Sequence, residues 1–146
     1  MSRPFSTDLF KNRSVVITGA GAGIGKATLL AFHEAGARIV AHLGRDERYA
    51  QGLPENISTF TGDFTQAEDQ AAFIEHVKSQ SQTIDVLVNN AGTMFGRFPA
   101  DTLTDEQYQN ITELNQSAVV RITRGLLPLL KKSPAASIIN LSLIHI

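Results

Sequence analysis

The sequence predicts an α/β protein built on one doubly wound parallel sheet. Strand-like runs alternate with helical runs along the chain, which is the pattern of parallel strands joined by crossover helices. Several strand-like runs are short and almost wholly apolar, as strands covered on both faces are. A length of 146 residues provides one hydrophobic core, so we expect residues 1–146 to form a single domain.

The predicted strands are short runs of apolar and β-branched residues, each followed by loop-forming residues. They are residues 14–18, 37–43, 57–62, 84–92 and 137–142. The last run lies behind the loop residues 133–135, and its apolar character predicts a buried parallel strand.

Three helices are predicted between these strands. Small and apolar side chains recur at helical spacing in residues 24–35, and Gly36 follows as a C-terminal cap. Thr65 and Thr104 each begin a capping-box pattern, so we expect helices over residues 65–80 and 104–130, with Pro128 bending or ending the last. The side chains expected to face the core are Ile24, Ala27, Ala31 and Ala35 in the first helix, Ala67, Ala71, Ile74 and Val77 in the second, and Tyr108, Ile111, Ala118, Ile122, Leu126 and Leu129 in the third.

Composition argues against several classes of function. The net charge is -1, so the chain lacks the basic excess of proteins that bind nucleic acid or anionic membranes. It has no cysteine, which excludes a disulfide framework, a thiolate metal site and a thiol nucleophile. The four histidines have no metal-ligand spacing, so each is expected to be an ordinary surface or hydrogen-bonded histidine. Without a signal-like segment or an apolar span, the protein is expected to be cytoplasmic.

A glycine-rich loop joins the first strand to the first helix. The motif is Thr-Gly-x-x-x-Gly-x-Gly from Thr18 to Gly25, and Ile24 stands where the G-x-G-x-x-G motif has its last glycine. Backbone N–H groups and the positive end of the helix dipole meet at such a turn, which suits a phosphate group. The alternative is a glycine-rich turn with no ligand, and the strand before and helix after it favour nucleotide binding.

Five motifs together resemble the compact branch of the short-chain dehydrogenase/reductase family. They are TGAGAGIG from Thr18, GD at Gly62, NNAG from Asn89, Asn115 within the long helix, and IINLS from Ile138. The resemblance covers nearly the whole chain. It implies a Rossmann-like fold that binds NAD(P) and transfers a hydride between the nicotinamide and a small alcohol or carbonyl substrate.

The resemblance also assigns residues to the cofactor. The implied cofactor-binding residues are Thr18, Gly19, Ala22, Gly23, Ile24, Gly25, Arg45, Asp63, Phe64, Asn90, Ala91 and Gly92. Asp63 is expected to accept a hydrogen bond from the adenine amino group, and Asn90 to face a cofactor ribose. The alternatives are an Asp63 that only caps the next helix and a polar strand exit at Asn90 that is an ordinary turn.

The end of the second strand gives a slight preference for NADP over NAD. The position where an acidic residue would bind the ribose of NAD holds Leu43, and Arg45 follows closely. Ala22 stands where NADP-using relatives often carry a basic residue, which argues the other way. The alternative for Arg45 is a surface ion pair with Asp46 or Glu47.

The catalytic set that the resemblance implies is incomplete. Asn115 is expected to lie buried on the apolar face of its helix and to hold a water molecule in a proton relay; the alternative is a structural hydrogen bond to a loop. Ser142 aligns with the first of two serines that relatives carry, and Leu143 occupies the second position. Tyr49 and Tyr108 are the only tyrosines, and neither begins the expected Tyr-x-x-x-Lys pair.

These gaps lead to three hypotheses about a sheet that is incomplete after the fifth strand, where an apolar edge is expected to be exposed. The first is the N-terminal part of a longer single-domain oxidoreductase, broken by truncation or a sequence error near Ser142. The second is a non-catalytic dinucleotide-binding module completed by a partner chain or a second copy. The third is an interaction protein with no ligand. A homo-oligomer would form through the long helix.

Overall fold

The fold is given by a computed structural model, which describes residues 6–142. The strands are β1 (Ser14–Ile17), β2 (Arg38–His42), β3 (Ser58–Phe60), β4 (Val86–Asn89) and β5 (Ser137–Asn140). The helices are α1 (Gly23–Glu34), α2 (Ala67–Gln80), α3 (Asp105–Thr112) and α4 (Ala118–Leu130), with a short 3-10 helix at Glu47–Ala50. Every predicted strand is present.

The five strands form one sheet in the order β3-β2-β1-β4-β5, and all neighbours are parallel. The chain first builds outward from β1 through β2 to β3 and then returns to place β4 on the other side of β1. The strand order therefore reverses between β1 and β4, and open α/β sheets bind their ligands at such a switch point. This arrangement confirms the predicted Rossmann-like doubly wound sheet.

The sheet is covered on both faces by helices. Val16, Val40 and Leu87 face α2 and α4, where they share a core with Phe73 and Ile122. The alternate strand residues face α1 and pack in a second core; they include Val15, Ile17, Ile39, Ala41, Val86 and Val88 with Leu29 of α1. The alternation follows from the period of two residues in a strand, and it places the middle of the sheet out of contact with water.

Two of the predicted helix faces are wrong at their N-terminal ends. In α1 the buried residues are Gly25 and Leu29, whereas Ile24 is 61% exposed and Ala27 is exposed. A helix turns about 100° per residue, so Ile24 lies about 140° around the axis from the buried Leu29. Its side chain therefore points to the groove described below.

In α2 the buried residues are Gln70, Phe73 and Val77, and the predicted core residues Ala67 and Ala71 are exposed. The large aromatic side chain of Phe73 fills the space between this helix and the sheet, which turns the small alanines outward. The prediction failed because alanine is compatible with either face.

The capping box predicted at Thr65 is also absent. The helix begins two residues later with Gln66 at the N-cap, and no side chain caps it. The Thr65 hydroxyl instead donates to Oδ1 of Asp63 at 2.8 Å. The capping box at Thr104 is confirmed, because the Gln107 N–H donates to Thr104 Oγ1 at 3.2 Å and the Thr104 N–H donates to Gln107 Oε1 at 2.9 Å.

The long helix predicted over residues 104–130 is interrupted. A π-helical segment, Glu113–Ser117, separates α3 from α4, and Pro128 lies within the last turn of α4. The predicted core residue Tyr108 is 60% exposed, and no residue of α3 is buried. Ile122 and Leu126 of α4 are buried as predicted.

The fifth strand is shorter and more exposed than predicted. It ends at Asn140, and Ile138 and Ile139 are each 43% exposed. These neighbours point to opposite faces, so both faces of β5 are open to solvent in the part of the chain that the structure describes. The prediction of a buried strand is wrong, and the expected exposed edge is confirmed. The predicted edge residues Leu143–Ile146 (143–146) lie outside the described residues.

Candidate functional site

A groove lies at the carboxyl ends of the neighbouring central strands β1 and β4. It consists of two adjoining cavities of about 260 and 300 Å³. Both are bordered by Gly19 and Ala22 of the loop after β1 and by Ala91 and Gly92 of the loop after β4. The predicted switch-point site is therefore a physical opening with the glycine loop as its floor.

Hydrogen bonds between Thr18 and Asn90 hold the two loops of the groove together. The Thr18 hydroxyl accepts from the backbone N–H groups of Asn90 and Ala91, each at 3.0 Å. The Asn90 side-chain amide donates to the carbonyl oxygens of Thr18 at 3.1 Å and Gly19 at 2.9 Å. Thr18 is only 2% exposed, so it supports the groove from below, whereas Asn90 lines it.

Three of the loop glycines are required by close backbone contacts, since a Cβ at Gly21 would lie 2.2 Å from the Leu43 carbonyl oxygen. Gly19 has φ of +67°, and a Cβ there would lie 2.6 Å from the Ala91 Cα atom. A Cβ at Gly25 would lie 2.1 Å from the Gly19 carbonyl oxygen. A side chain at either position would therefore push the helix away from the strands. Gly23 has φ of +53° and faces open space.

The first turn of α1 presents its N–H groups to the groove without a side-chain cap. Ala22 is the N-cap residue and has no side-chain acceptor for the first N–H groups, and the first turn contains no acidic residue. Nothing on this helix neutralises the positive end of its dipole. The exposed Ile24 side chain borders the same cavity. The geometry fits an anionic group bound above the loop.

Arg45 and Asp63 lie side by side at the larger cavity, which Phe64 also lines. Arg45 Nη1 is 3.5 Å from Asp63 Oδ2, and the Arg45 side chain remains 66% exposed. Asp63 Oδ1 accepts from the backbone N–H of Thr65 at 2.9 Å. Partial burial opposes ionisation, but the hydrogen bonds from Thr65 and the nearby Arg45 keep the pKa of Asp63 below its usual value.

The alternative partners considered for Arg45 are not its partners. Arg48 binds Asp46 instead, with Nη2 2.6 Å from Oδ2 and Nε 3.0 Å from Oδ1. This bidentate pair lowers the pKa of Asp46 and neutralises its charge. The Arg45 guanidinium lies 5.8 Å from the ring centroid of Phe95, which also borders the cavity.

Asn115 joins the π-helical segment to the loop after β4. Its amide nitrogen donates to the carbonyl oxygens of Thr93 at 2.9 Å and Ile111 at 2.7 Å, and its Oδ1 accepts from the Thr93 N–H at 3.1 Å. The residue is half-buried rather than buried on the apolar face as predicted. The helix-to-loop hydrogen bond that sequence reasoning kept as the alternative is therefore present.

The two predicted catalytic residues do not border a common cavity. Ser142 lines the smaller cavity, whereas Asn115 contacts Thr93 at the margin of the larger one. Leu143, which stands at the predicted second serine position, lies outside the described residues.

Sequence reasoning did not place His42 or Tyr49 at the groove, although both border the larger cavity. His42 is the last residue of β2 and is buried, and its ring stacks on Phe64. The only signal was a histidine at the end of an apolar strand, and an isolated histidine does not reveal its partners. Tyr49 gave no signal, because it lies in the short 3-10 helix and reaches the loop at Gly21 only in the folded structure.

Within the described residues, 6–142, there is neither a metal-binding cluster nor a helix able to cross a membrane. No group of three or more histidine and acidic side chains in this range is arranged to hold a metal ion. No helix in the same range has the length and apolar character needed to cross a membrane.

The strand order, the glycine loop and the uncapped helix at the switch point are features of the α/β folds that bind dinucleotides. The chain belongs to the short chain dehydrogenase family, whose pattern it matches over residues 13–145. This finding confirms the family that the five motifs resemble.

Curated relatives agree with this assignment. The chain is 32% identical over 133 residues to the 3-oxoacyl-[acyl-carrier-protein] reductase FabG of Thermotoga maritima. This match covers 87% of the chain and 54% of the relative. It is 32% identical over 130 residues to the NADP-dependent 3-hydroxy acid dehydrogenase YdfG of Salmonella typhi, and this match covers 87% of the chain and 52% of the relative. The chain thus spans about half the length of these relatives.

The fold also agrees with solved structures. A short-chain dehydrogenase from Escherichia coli CFT073, complexed with NADPH, is 25% identical and superposes with a TM-score of 0.82. The superposition covers 92% of this chain and 60% of that one.

Proposed function

We propose that this chain binds NADP(H) in the groove between β1 and β4, as the cofactor-binding part of an oxidoreductase. The observation that carries the proposal is the uncapped N-terminus of α1 above a loop in which Gly19, Gly21 and Gly25 have no space for a side chain. In the complete enzyme, the cofactor supplies a nicotinamide that exchanges a hydride with a small alcohol or carbonyl substrate.

The residues of the groove fit a dinucleotide. The N–H groups around Gly23 and Ile24 are suited to the pyrophosphate, because they are uncapped and the loop leaves the space above them open. The loop at Ala91 and Gly92 allows close approach of a ribose beside Asn90. Phe64 and Asp63 border the larger cavity, where the Asp63 carboxylate, which also pairs with Arg45, could accept from an adenine amino group.

The charge distribution favours NADP over NAD. Arg45 is largely exposed at the cavity, while Asp46, the acid that would repel a phosphate, is neutralised by Arg48. Leu43 provides no carboxylate to bind a free ribose hydroxyl. The NADP dependence of one named relative and the NADPH in one similar structure support the same preference.

We infer that this 146-residue chain binds the cofactor without turnover. Asn115 and Ser142 are the proposed catalytic residues, but the sequence contains no Tyr-x-x-x-Lys pair to move the substrate proton. The chain would then be the N-terminal, dinucleotide-binding part of a longer enzyme, and the half-length match to its relatives supports this.

A second candidate function is a non-catalytic dinucleotide-binding module completed by a partner chain or a second copy. The open faces of β5, with Ile138 and Ile139 each 43% exposed, favour it, because they offer a surface for another element. If the chain is a fragment, adding a purified full-length relative would not restore its activity. A self-associating module would instead sediment as a dimer.

The binding test is a fluorescence titration of the chain with NADPH and NADH, together with the Arg45→Ala variant. We expect NADPH to bind more tightly than NADH, and Arg45→Ala to weaken NADPH binding about tenfold while changing NADH binding little, because one charged contact to the phosphate is lost. Arg124→Ala, at an exposed site on α4, is the matched control. Equal affinities of the unaltered chain for both cofactors would contradict the preference.

A further inference from the structure

His42 connects the two loops that border the larger cavity. Its Nδ1 atom lies 3.3 Å from the backbone nitrogen of Gly19, and its Nε2 atom lies 2.9 Å from the carbonyl oxygen of Gly62. Gly19 begins the glycine loop, and Gly62 immediately precedes Asp63. One side chain at the end of β2 therefore contacts both the phosphate side and the adenine side of the groove.

The partners of His42 determine the state of its ring. A backbone N–H can only donate, so Nδ1 accepts from Gly19, and a carbonyl can only accept, so Nε2 carries the proton that is donated to Gly62. Burial lowers the pKa of His42 to about 4, against a weaker opposite effect of Gly62, Asp63 and Asp69. The ring is therefore neutral near neutral pH and has both bonds at once.

Aromatic packing fixes the orientation of the ring. The imidazole is stacked on Phe64 with ring centroids 3.6 Å apart and an angle of 12° between the planes. Phe60 and Phe73 lie at centroid distances of 6.4 and 5.8 Å. His42 is only 3% exposed, so its nitrogen atoms have little freedom to find other partners.

We propose that His42 is a positioning residue of the cofactor site, whose two ring nitrogens set the spacing between the glycine loop and the Gly62–Asp63 loop (62–63). It does not touch the reacting atoms. By accepting from Gly19, it orients the loop that receives the pyrophosphate, and by donating to Gly62 it orients the backbone before Asp63. The inference rests on the proposed cofactor binding and adds a residue on which that binding depends.

Three substitutions at His42 separate the two bonds. In His42→Asn the amide oxygen takes the approximate place of Nδ1 and preserves the acceptor for Gly19. In His42→Gln the amide nitrogen takes the approximate place of Nε2 and preserves the donor to Gly62. His42→Phe retains an aromatic ring for Phe64 but has neither bond. His76→Phe is the matched control, because His76 bonds Ser58 and packs on Phe60 but does not border the groove.

The experiment measures NADPH affinity by fluorescence, thermal stability, and amide hydrogen exchange at Gly19 for each variant. We expect His42→Phe to weaken NADPH binding about tenfold and to speed exchange at Gly19, since that N–H loses its acceptor. We expect His42→Asn to restore much of the affinity and protection, and His42→Gln to restore less. If His42 had a purely structural role, the NADPH affinities of the variants would follow their thermal stabilities and would not show this order.

Several outcomes would overturn the inference. Unchanged NADPH affinity in folded His42→Phe, or equal affinity in His42→Asn and His42→Phe, would refute it while leaving cofactor binding intact. No binding of NADPH or NADH by the unaltered chain would refute the proposed function, and this inference with it. Should His42→Phe fail to fold, ¹⁵N NMR of the unaltered chain decides: an Nε2-protonated ring supports the inference, and an Nδ1-protonated ring overturns it.

Discussion

Thr18 shows how one buried hydroxyl supports a binding groove without lining it. Its oxygen accepts from two successive N–H groups of the opposite loop, at Asn90 and Ala91, and its own proton is directed to the Val88 carbonyl at 3.4 Å. Buried backbone N–H groups are costly to leave without acceptors. The two N–H groups that need an acceptor thus explain why the motif has a threonine at this position.

Thr18→Val tests this explanation, because valine has the same shape and no oxygen. We expect the free energy of unfolding to fall by about 2 kcal/mol, since two partly buried N–H groups lose their acceptor. Urea denaturation measures the change. Thr102→Val is the control, since the Thr102 hydroxyl bonds Pro99 at an exposed site. Equal losses in both variants would show that the two N–H groups do not depend on Thr18.

His42 predicts a pH dependence of stability. Its pKa is lowered by burial from 6.5 to about 4, so between these values the unfolded chain binds a proton that the folded chain does not. The free energy of unfolding should therefore decrease by about 3 kcal/mol as the pH falls from 6.5 to 4. The lowered pKa values of Asp63 and Glu113 act in the same direction, but at more acidic pH.

Urea denaturation across this pH range, with His42→Phe beside the unaltered chain, isolates the contribution of the imidazole. The variant should lose most of the slope between pH 6.5 and 4.5, because phenylalanine does not titrate. Parallel curves for the two proteins would mean that His42 is protonated in the folded chain.

At the scale of secondary structure, the local patterns were predictive where their partners are also local. The Thr104 capping box is confirmed because both of its hydrogen bonds lie within four residues of chain. The similar pattern at Thr65 failed because the Thr65 oxygen accepts from the Gln66 side-chain amide while its proton is donated to Asp63. The π-helical segment could not be predicted, because no repeating sequence pattern marks it. In the structure, the Asn115 side chain donates to the Ile111 carbonyl there.

Gln70 illustrates the same limit on α2. Its amide nitrogen donates to the Phe64 carbonyl at 2.8 Å and to Glu113 at 2.9 Å, and its oxygen accepts from Arg121 at 3.2 Å. Glu113 and Arg121 also form an ion pair. These partners come from three elements, so a sequence that places glutamine on a helix gives no sign that it is 1% exposed.

Gln70→Leu should therefore destabilise the protein more than its apolar character suggests. We expect a loss of about 2 kcal/mol in the free energy of unfolding, because the Phe64 carbonyl and the Glu113 carboxylate each lose a donor. Gln80→Leu, at the exposed end of the same helix, should change it by less than about 0.5 kcal/mol. Guanidinium denaturation compares the two, and a gain in stability for Gln70→Leu would show that apolar packing outweighs the network.

At the scale of the whole molecule, the alternation of strands and helices predicted the parallel sheet, and the sequence motifs predicted its family and the location of its groove. The exposure of β5 could not be read from its composition, because the burial of Ile138 and Ile139 depends on which elements cover them rather than on their own polarity. The same reasoning applies to the site. Motifs located Gly19 and Asn90, but the bonds of His42 and Arg45 depend on neighbours distant in sequence.

The central claim is that the groove between β1 and β4 binds NADP(H), and NMR of the ¹⁵N-labelled chain during titration with NADPH tests it most directly. The account predicts saturable shifts of the backbone amide signals of Gly19, Gly23, Gly25, Ala91 and Gly92. It also predicts little change for residues at the amino-terminal ends of the strands, opposite the groove, such as Arg38 at the start of β2. An absence of shifts at the glycine loop, or shifts centred elsewhere, would contradict the account.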